Sequence, residues 1–327
     1  MKRVMMERPG APADVVRLED LPDPAPPAVN EALVELVASP IHPADLLTIM
    51  GMYAAETKAP KTLGKEGVGR VLAVGSHVKH IKPGDLTPVL MPNDGVWQHR
   101  YLLDAEHLVA LPAGGDPLQY AMAIGNPATA LLMLRTIVPL QLGDWIIQNA
   151  ANSAVGQYII QLAKRDGIRT VNVVRREGLA GPLHDLGADV VLTDGLDLPK
   201  RVAAATGAAP IHLALDAVAG DSSARLTACL APGGTLCSYG MMSGKSVHIS
   251  PAALIGSGIL VRGFWVTAAM AKMSKDERAK LYGELIPLVV SGALKANIET
   301  TYPLSRIHDA LAHASKGERT GKILLVP

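Results

Sequence analysis

From Trp145 onward, short apolar runs punctuated by glycine and proline alternate with stretches of helical spacing. Strands are expected at residues 145–148, 170–174, 189–192, 212–216, 234–239 and 259–264. Helical patterns lie between them, at about 153–165, 177–186, 200–205, 222–230 and 251–256. Apolar strands with helical crossovers predict an α/β domain built on a six-stranded parallel, doubly wound sheet. The first third of the chain reads differently. Residues 29–37, 68–74, 87–90 and 107–111 have strand character and are separated by Gly75 and Pro83-Gly84. They predict a small β-rich domain, a partly closed barrel. Residues 120–138 read as a long apolar helix broken near Pro127, and 275–291 and 304–314 as further helices. A last strand is expected at 322–326, returning to the β-rich domain. The expected division is 1–126 with 268–327, and 127–267.

The stretch W-I-I-Q-N-A-A-N-S-A-V-G, ending at Gly156, organises the second domain. A buried strand, a turn of small residues and a helix follow in order. The spacing is that of G-x-x-G-x-x-G, with Ala150 and Ser153 in place of two glycines. Such a turn lets the backbone approach a pyrophosphate at the positive end of a helix. Ala150, Asn152, Ser153, Ala154, Val155 and Gly156 are therefore candidate cofactor contacts; Ser153 can also cap the helix, and Gly156 can allow helix–strand packing. An ordinary strand-to-helix turn is the bland alternative.

Arg175-Arg176 ends the next β-branched run, T-V-N-V-V. Arg175 lies 19 residues beyond Gly156 (175 − 156), near the offset of about 20 at which a dinucleotide fold meets the adenosine ribose. A carboxylate there would accept from a 2′-hydroxyl; an arginine pairs with a 2′-phosphate. NADPH is expected over NADH. A solvated basic pair is the alternative.

Composition narrows the classes. The 327 residues are 49% hydrophobic, enough for two domains with large cores. A formal net charge of +1 without a block of like charge argues against a nucleic-acid partner. Two cysteines, Cys229 and Cys237, make neither a disulfide framework nor a four-thiolate site, and both are expected as buried thiols. No apolar run approaches the roughly 18 residues of a membrane span, and the N-terminus lacks a signal-peptide core. A cytoplasmic location is the default expectation, with no membrane partner.

Several motifs together resemble the zinc-independent branch of the medium-chain dehydrogenase/reductase superfamily, most of all its mitochondrial-type 2-enoyl thioester reductases. They are S-P-I-H-P-A-D from Ser39, G-M-Y ending at Tyr53, L-G-K-E-G-V-G from Leu63 and G-V-W ending at Trp97. G-N-P-A-T-A from Gly125, N-A-A-N-S-A-V-G-Q from Asn149, N-V-V-R ending at Arg175 and R-G-F-W ending at Trp265 complete the set. Quinone reductases of the branch usually carry a Gly-Gly-Val-Gly turn, from which this chain departs. The resemblance implies a Rossmann domain for NADPH and a GroES-like catalytic domain.

The resemblance also implies chemistry. Zinc alcohol dehydrogenases carry a cysteine ligand in the segment that here reads Pro40-Ile41-His42-Pro43, and G-H-E where this chain has Gly64-Lys65-Glu66. A catalytic zinc needs three protein ligands, and no such set is apparent, so no metal is expected. His42 and His99 read as loop or barrel hydrogen-bonders. Lys65 is either a solvated lysine or a contact for an anionic substrate. The implied reaction is hydride transfer from NADPH to the β-carbon of an enoyl thioester, with Tyr53 donating to the carbonyl oxygen as charge builds there.

Asn126 and Thr129 are expected to border the nicotinamide, or else to cap their helix. Gly240, Met241 and Met242, and Phe264, Trp265 and Val266, follow strands whose C-terminal ends line the crevice of such a sheet. Trp265 walls the acyl pocket or sits in the core, and Trp97 belongs to the barrel core. Lys322 matches a family lysine near the cofactor phosphate. The sixth strand leaves an apolar edge, which pairing in a homodimer would cover. An NADPH:quinone or small-enone reductase is the alternative activity, and a non-catalytic NADPH-binding protein the alternative of another class.

Overall fold

The computed structural model describes residues 1–53, 59–90 and 95–327. It divides into two compact units, Met1–Ile124 with Leu285–Pro327, and Gly125–Glu284. The second boundary thus falls within the helix Lys275–Val290, later than residue 267.

In the second unit six strands form one sheet in the order Val190–Thr193, Arg169–Val174, Trp145–Gln148, Ile211–Asp216, Thr235–Ser238, Leu260–Gly263. Every pairing is parallel. The chain order reverses between Trp145–Gln148 and Ile211–Asp216, so this is the doubly wound sheet expected, and its switch point lies beside Gln148. All four residues of Trp145–Gln148 are buried, which explains why that run shows no polar alternation. Trp145, Ile147, Val171, Val173, Leu198 and Leu236 share one apolar cluster, and Ile160, Val174 and Leu183 another. Each fully buried aliphatic contributes roughly 1.5–3 kcal/mol.

The first unit carries an open path of strands, Ile298–Pro303, Lys322–Val326, Glu31–Pro40, Glu66–Val74, Leu86–Leu90, with Arg100–Asp104 also paired to Glu31–Pro40. Among the described residues this path does not close into a barrel. Its core contains Val34, Leu36, Val71, Val89 and Trp97, all at most 1% exposed.

Three expectations need correction, and one element was missed. A hairpin of Lys2–Met6 and Val16–Asp20 went unread, because its outward charges and Pro12 mask the alternation. Residues 107–111 are not a strand: Asp104 accepts from Glu106 N and caps the turn Ala105–His107, and Leu108 and Leu111 are buried from an irregular segment. The strand is Arg100–Asp104 instead. The apolar stretch near 120–138 is two helices, Pro117–Tyr120 and Gly125–Thr136. Pro127 does not break the second; it lies in the first turn, where a missing N–H costs nothing. The sixth strand is four residues long, and all four are exposed.

Candidate cofactor turn and a buried charge network

The candidate residues fall into two groups, one in each unit. In the Gly125–Glu284 unit the chain leaves Trp145–Gln148 through Asn149 and enters the helix Ala154–Arg165. Ala150 has φ +48°, a left-handed conformation that residues with a Cβ seldom adopt. Ser153 N donates to Ala150 O at 2.8 Å, closing the turn. The Ser153 hydroxyl caps the helix by accepting from Gly156 N at 3.2 Å, as expected of a serine at this position. Gln157 Nε2 donates to Asn152 O at 2.9 Å. Gly156 is required for packing, since a Cβ there would lie 2.6 Å from Ala151 O. Ala154 is buried, and Asn152, Ser153 and Val155 are half-buried.

Three buried amides, two at the end of Trp145–Gln148 and one inside Arg169–Val174, hold this turn. Gln148 Nε2 donates to Gly156 O at 3.0 Å and to Asn172 Oδ1 at 2.7 Å. Asn149 Nδ2 donates to Asp216 Oδ1 at 2.6 Å, and Asn149 Oδ1 accepts from Ala217 N at 2.8 Å. None of Gln148, Asn149, Asn172 and Asp216 was singled out from the sequence. The signal was present: a polar residue inside or at the end of an apolar strand must find partners, because an unpaired buried amide costs about 1–3 kcal/mol.

Arg175 is exposed and follows the last residue of Arg169–Val174; Arg176 is half-buried. Gly240 follows Thr235–Ser238 so closely packed that a Cβ would lie 2.7 Å from Ala217 O. Met241 and Met242 are exposed beyond it. Phe264 N donates to Ser238 O at 2.9 Å, and Trp265 precedes the helix Val266–Ala271. Trp265 is 41% exposed, so it is not a core residue. Thr129 spends its hydroxyl on Gly125 O at 2.7 Å, within its own helix. Asn126 is buried with Nδ2 unpartnered; the Tyr239 hydroxyl is buried beside Ser153, and burial makes it a weaker acid than free tyrosine. Close backbone at Gly156 and Gly240, a helix N-terminus and the buried, unpartnered Asn126 amide suit a dinucleotide.

The other unit holds a network of charges. His42 lies between two of them: Nδ1 faces Lys322 Nζ at 2.9 Å and Nε2 faces Glu66 Oε1 at 2.8 Å. An ammonium only donates and a carboxylate only accepts, so a neutral His42 between them accepts at Nδ1 and donates at Nε2. Lys322 also donates to Ile41 O at 3.3 Å. Asp45 accepts from His42 N at 2.7 Å, and burial pushes its carboxyl above the usual range. Ser39 donates to Glu66 O at 2.6 Å and accepts from Trp97 Nε1 at 3.0 Å, which places Trp97 in the core as expected. Burial pushes the Lys322 ammonium down to about 8, against the pull of Glu66 and Asp45. The expected phosphate-contacting lysine is thus buried against His42.

Tyr53 is half-buried, and the Lys65 ammonium lies 4.8 Å from the centre of its ring. The two readings of Lys65 did not include this stacking. Among the described residues no group of three or more His, Cys, Asp or Glu is arranged to hold a metal ion. Burial pushes both thiols up to about 12, although Cys229 is only half-buried.

Comparison with known proteins places these features. The Alcohol dehydrogenase GroES-like domain matches residues 28–113, and the Zinc-binding dehydrogenase family matches residues 154–281. The mitochondrial enoyl-[acyl-carrier-protein] reductase of Rattus norvegicus is 39% identical over 94% of this chain and 83% of its own length. The chain belongs to the enoyl reductases of the medium-chain dehydrogenase/reductase superfamily. A solved complex of the reductase Etr1p with NADP and crotonyl-CoA superposes with a TM-score of 0.88 at 26% identity, over 100% of this chain and 99% of that one. Quinone oxidoreductase of Escherichia coli with NADPH gives 0.88 at 27%, over 100% of both chains.

The comparisons overturn the expected cytoplasmic location, because the curated relatives from rat to Arabidopsis thaliana are mitochondrial enzymes. Free thiols and a modest charge suit any reducing compartment, so composition does not separate the two. Among the described residues no helix is long and apolar enough to cross a membrane.

Proposed function

We propose that this enzyme uses NADPH to reduce the C=C bond of trans-2-enoyl thioesters, carried by CoA or acyl carrier protein. The supporting observation is the Ala150–Gly156 turn with Arg175 beyond the second strand, in a chain 39% identical to an enoyl-[acyl-carrier-protein] reductase. NADPH supplies the hydride for the β-carbon when bound. The backbone of Ala150, Asn152, Ser153, Ala154, Val155 and Gly156 cradles the pyrophosphate, and Arg175 and Arg176 pair with the 2′-phosphate. Asn126, Thr129, Gly240, Met241, Met242, Phe264, Trp265 and Val266 border the nicotinamide and the substrate. Tyr53 donates its hydroxyl to the thioester oxygen as negative charge develops there, and the Lys65 cation on its ring strengthens that donor. We assign Lys322 to holding Ile41 and His42 in place.

The test follows NADPH consumption in parallel with crotonyl-CoA, trans-2-decenoyl-CoA and a benzoquinone. Turnover of an enoyl-CoA well above that of the quinone is expected. Turnover of the quinone alone moves the enzyme to the activity of its Escherichia coli neighbour.

We also propose a homodimer. Leu260 and Val261 leave an apolar sheet edge 61% and 47% exposed, and Ile255 nearby is 86% exposed. Pairing of this edge with its twofold copy would cover it. Light scattering at micromolar concentration should give twice the 34.3 kDa chain mass, and a monomer contradicts the proposal.

A further inference from the structure

The Asn149 side chain makes three hydrogen bonds, and all of them leave the turn in which it sits. Nδ2 reaches Asp216 Oδ1 at 2.6 Å and Ser222 Oγ at 3.1 Å, and Oδ1 accepts from Ala217 N at 2.8 Å. Asp216 is fully buried, and the same Oδ1 accepts from Val218 N at 3.0 Å and Ala219 N at 2.9 Å. Its Oδ2 has no partner, so the carboxylate is oriented through one oxygen alone. The loop it gathers reaches onward: Met242 N donates to Ala217 O, and Ser243 N to Val218 O, each at 3.0 Å. One path of hydrogen bonds therefore joins the turn at Ala150 to Asp216, then to 217–219, then to 242–243.

Ala150, the next residue, is held at φ +48°. A residue with a Cβ leaves that region unless its neighbours fix it. On one side Asn149 is tied to Asp216, and on the other Ser153 N is bonded to Ala150 O.

We propose that Asn149, tied to Asp216, is a positioning residue: it holds Ala150 in the shape that receives the pyrophosphate. This rests on the NADPH reading above. The bonds lie within the chain itself, so the ordering cost of the turn is met in folding and not in binding. Asn149→Ala removes all three bonds, and the turn must then be driven back into the left-handed region on binding. A left-handed penalty of one to two kcal/mol per residue corresponds to about tenfold in affinity. Ala150→Gly in that background removes most of the penalty, because glycine adopts positive φ freely.

The experiment is a fluorescence titration of NADPH into the wild type, Asn149→Ala and Asn149→Ala/Ala150→Gly, with KM for crotonyl-CoA measured alongside. Expected are an NADPH Kd about tenfold weaker in Asn149→Ala, most of it recovered in the double variant, and an enoyl KM within about twofold of wild type. A generally damaged protein would lose both affinities and would not be rescued by a glycine. Unchanged NADPH affinity in Asn149→Ala, or no recovery in the double variant, overturns the proposal. If Asn149→Ala does not fold, Ala150→Val carries the test: its β-branched side chain resists the left-handed region, and unchanged affinity again overturns the proposal. Wild type that fails to bind NADPH removes the cofactor reading, and the proposal with it.

Discussion

The turn after Trp145–Gln148 is held by amides gathered on one carboxylate, Asp216, whereas the buried network of the other unit sets a cation and a carboxylate on either side of His42. Gln148 donates to Asn172 and Asn149 to Asp216, over short spans on adjacent strands of a single sheet. His42, Glu66 and Lys322 come from distant parts of the chain, and the Lys322 ammonium and the Glu66 carboxylate meet on the two ring nitrogens of His42. The clamp loses about the value of the bonds removed when one of its neutral amides goes. A charge network loses more, because the surviving charges stay buried without a partner. The first arrangement shapes a backbone precisely; the second fixes strands to one another and makes that unit sensitive to pH.

That contrast is broken or sharpened by substitution. The largest stability effect is expected at Glu66→Ala, which strands the Lys322 cation beside His42: about 3–5 kcal/mol by denaturant unfolding. A loss below about 1 kcal/mol would place Glu66 among ordinary hydrogen-bonding groups. Next is Arg175→Ser. If its guanidinium pairs with the 2′-phosphate, kcat/KM for NADPH falls roughly ten- to hundredfold while that for NADH holds, since a charge-assisted bond is worth about 1.5–3 kcal/mol. Equal losses with both cofactors would remove Arg175 from that role.

The last effect is a slope. The Lys322 pKa lies near 8 in the fold, below 10.5 for an ordinary lysine. Between these values the unfolded chain binds more proton than the folded one, so stability rises as pH increases from about 8 to about 10.5. Below pH 8 both states are protonated and the slope vanishes. Unfolding free energies over this window should climb more steeply in the wild type than in Lys322→Met. Identical slopes would mean that the network does not impose a charge cost.

The same contrast explains what could be read in the sequence. The six parallel strands and their order of appearance were legible because each is a local run of apolar residues. So was the turn after Gln148: its small residues and its serine cap lie within a few consecutive positions. The charge network was not legible, because nothing local links position 42 to 66 or 322. The Lys2–Met6 hairpin was hidden by its own charges, and the Arg100–Asp104 strand by an apolar neighbour, 107–111, that buries leucines without pairing. Gln148 and Asn149 could have been found, since two amides at the end of a buried strand require partners.

The central claim is a division of labour in which the turn binds cofactor and Tyr53 serves the chemistry. Tyr53→Phe tests it most directly, with NADPH binding by fluorescence and single-turnover reduction of crotonyl-CoA measured on the same preparation. Loss of one donor to a developing oxyanion slows the chemical step by about 10²–10³. The account predicts a loss of that size with NADPH affinity unchanged. A Tyr53→Phe enzyme that reduces crotonyl-CoA at the wild-type rate, or one that fails because it no longer binds NADPH, contradicts it.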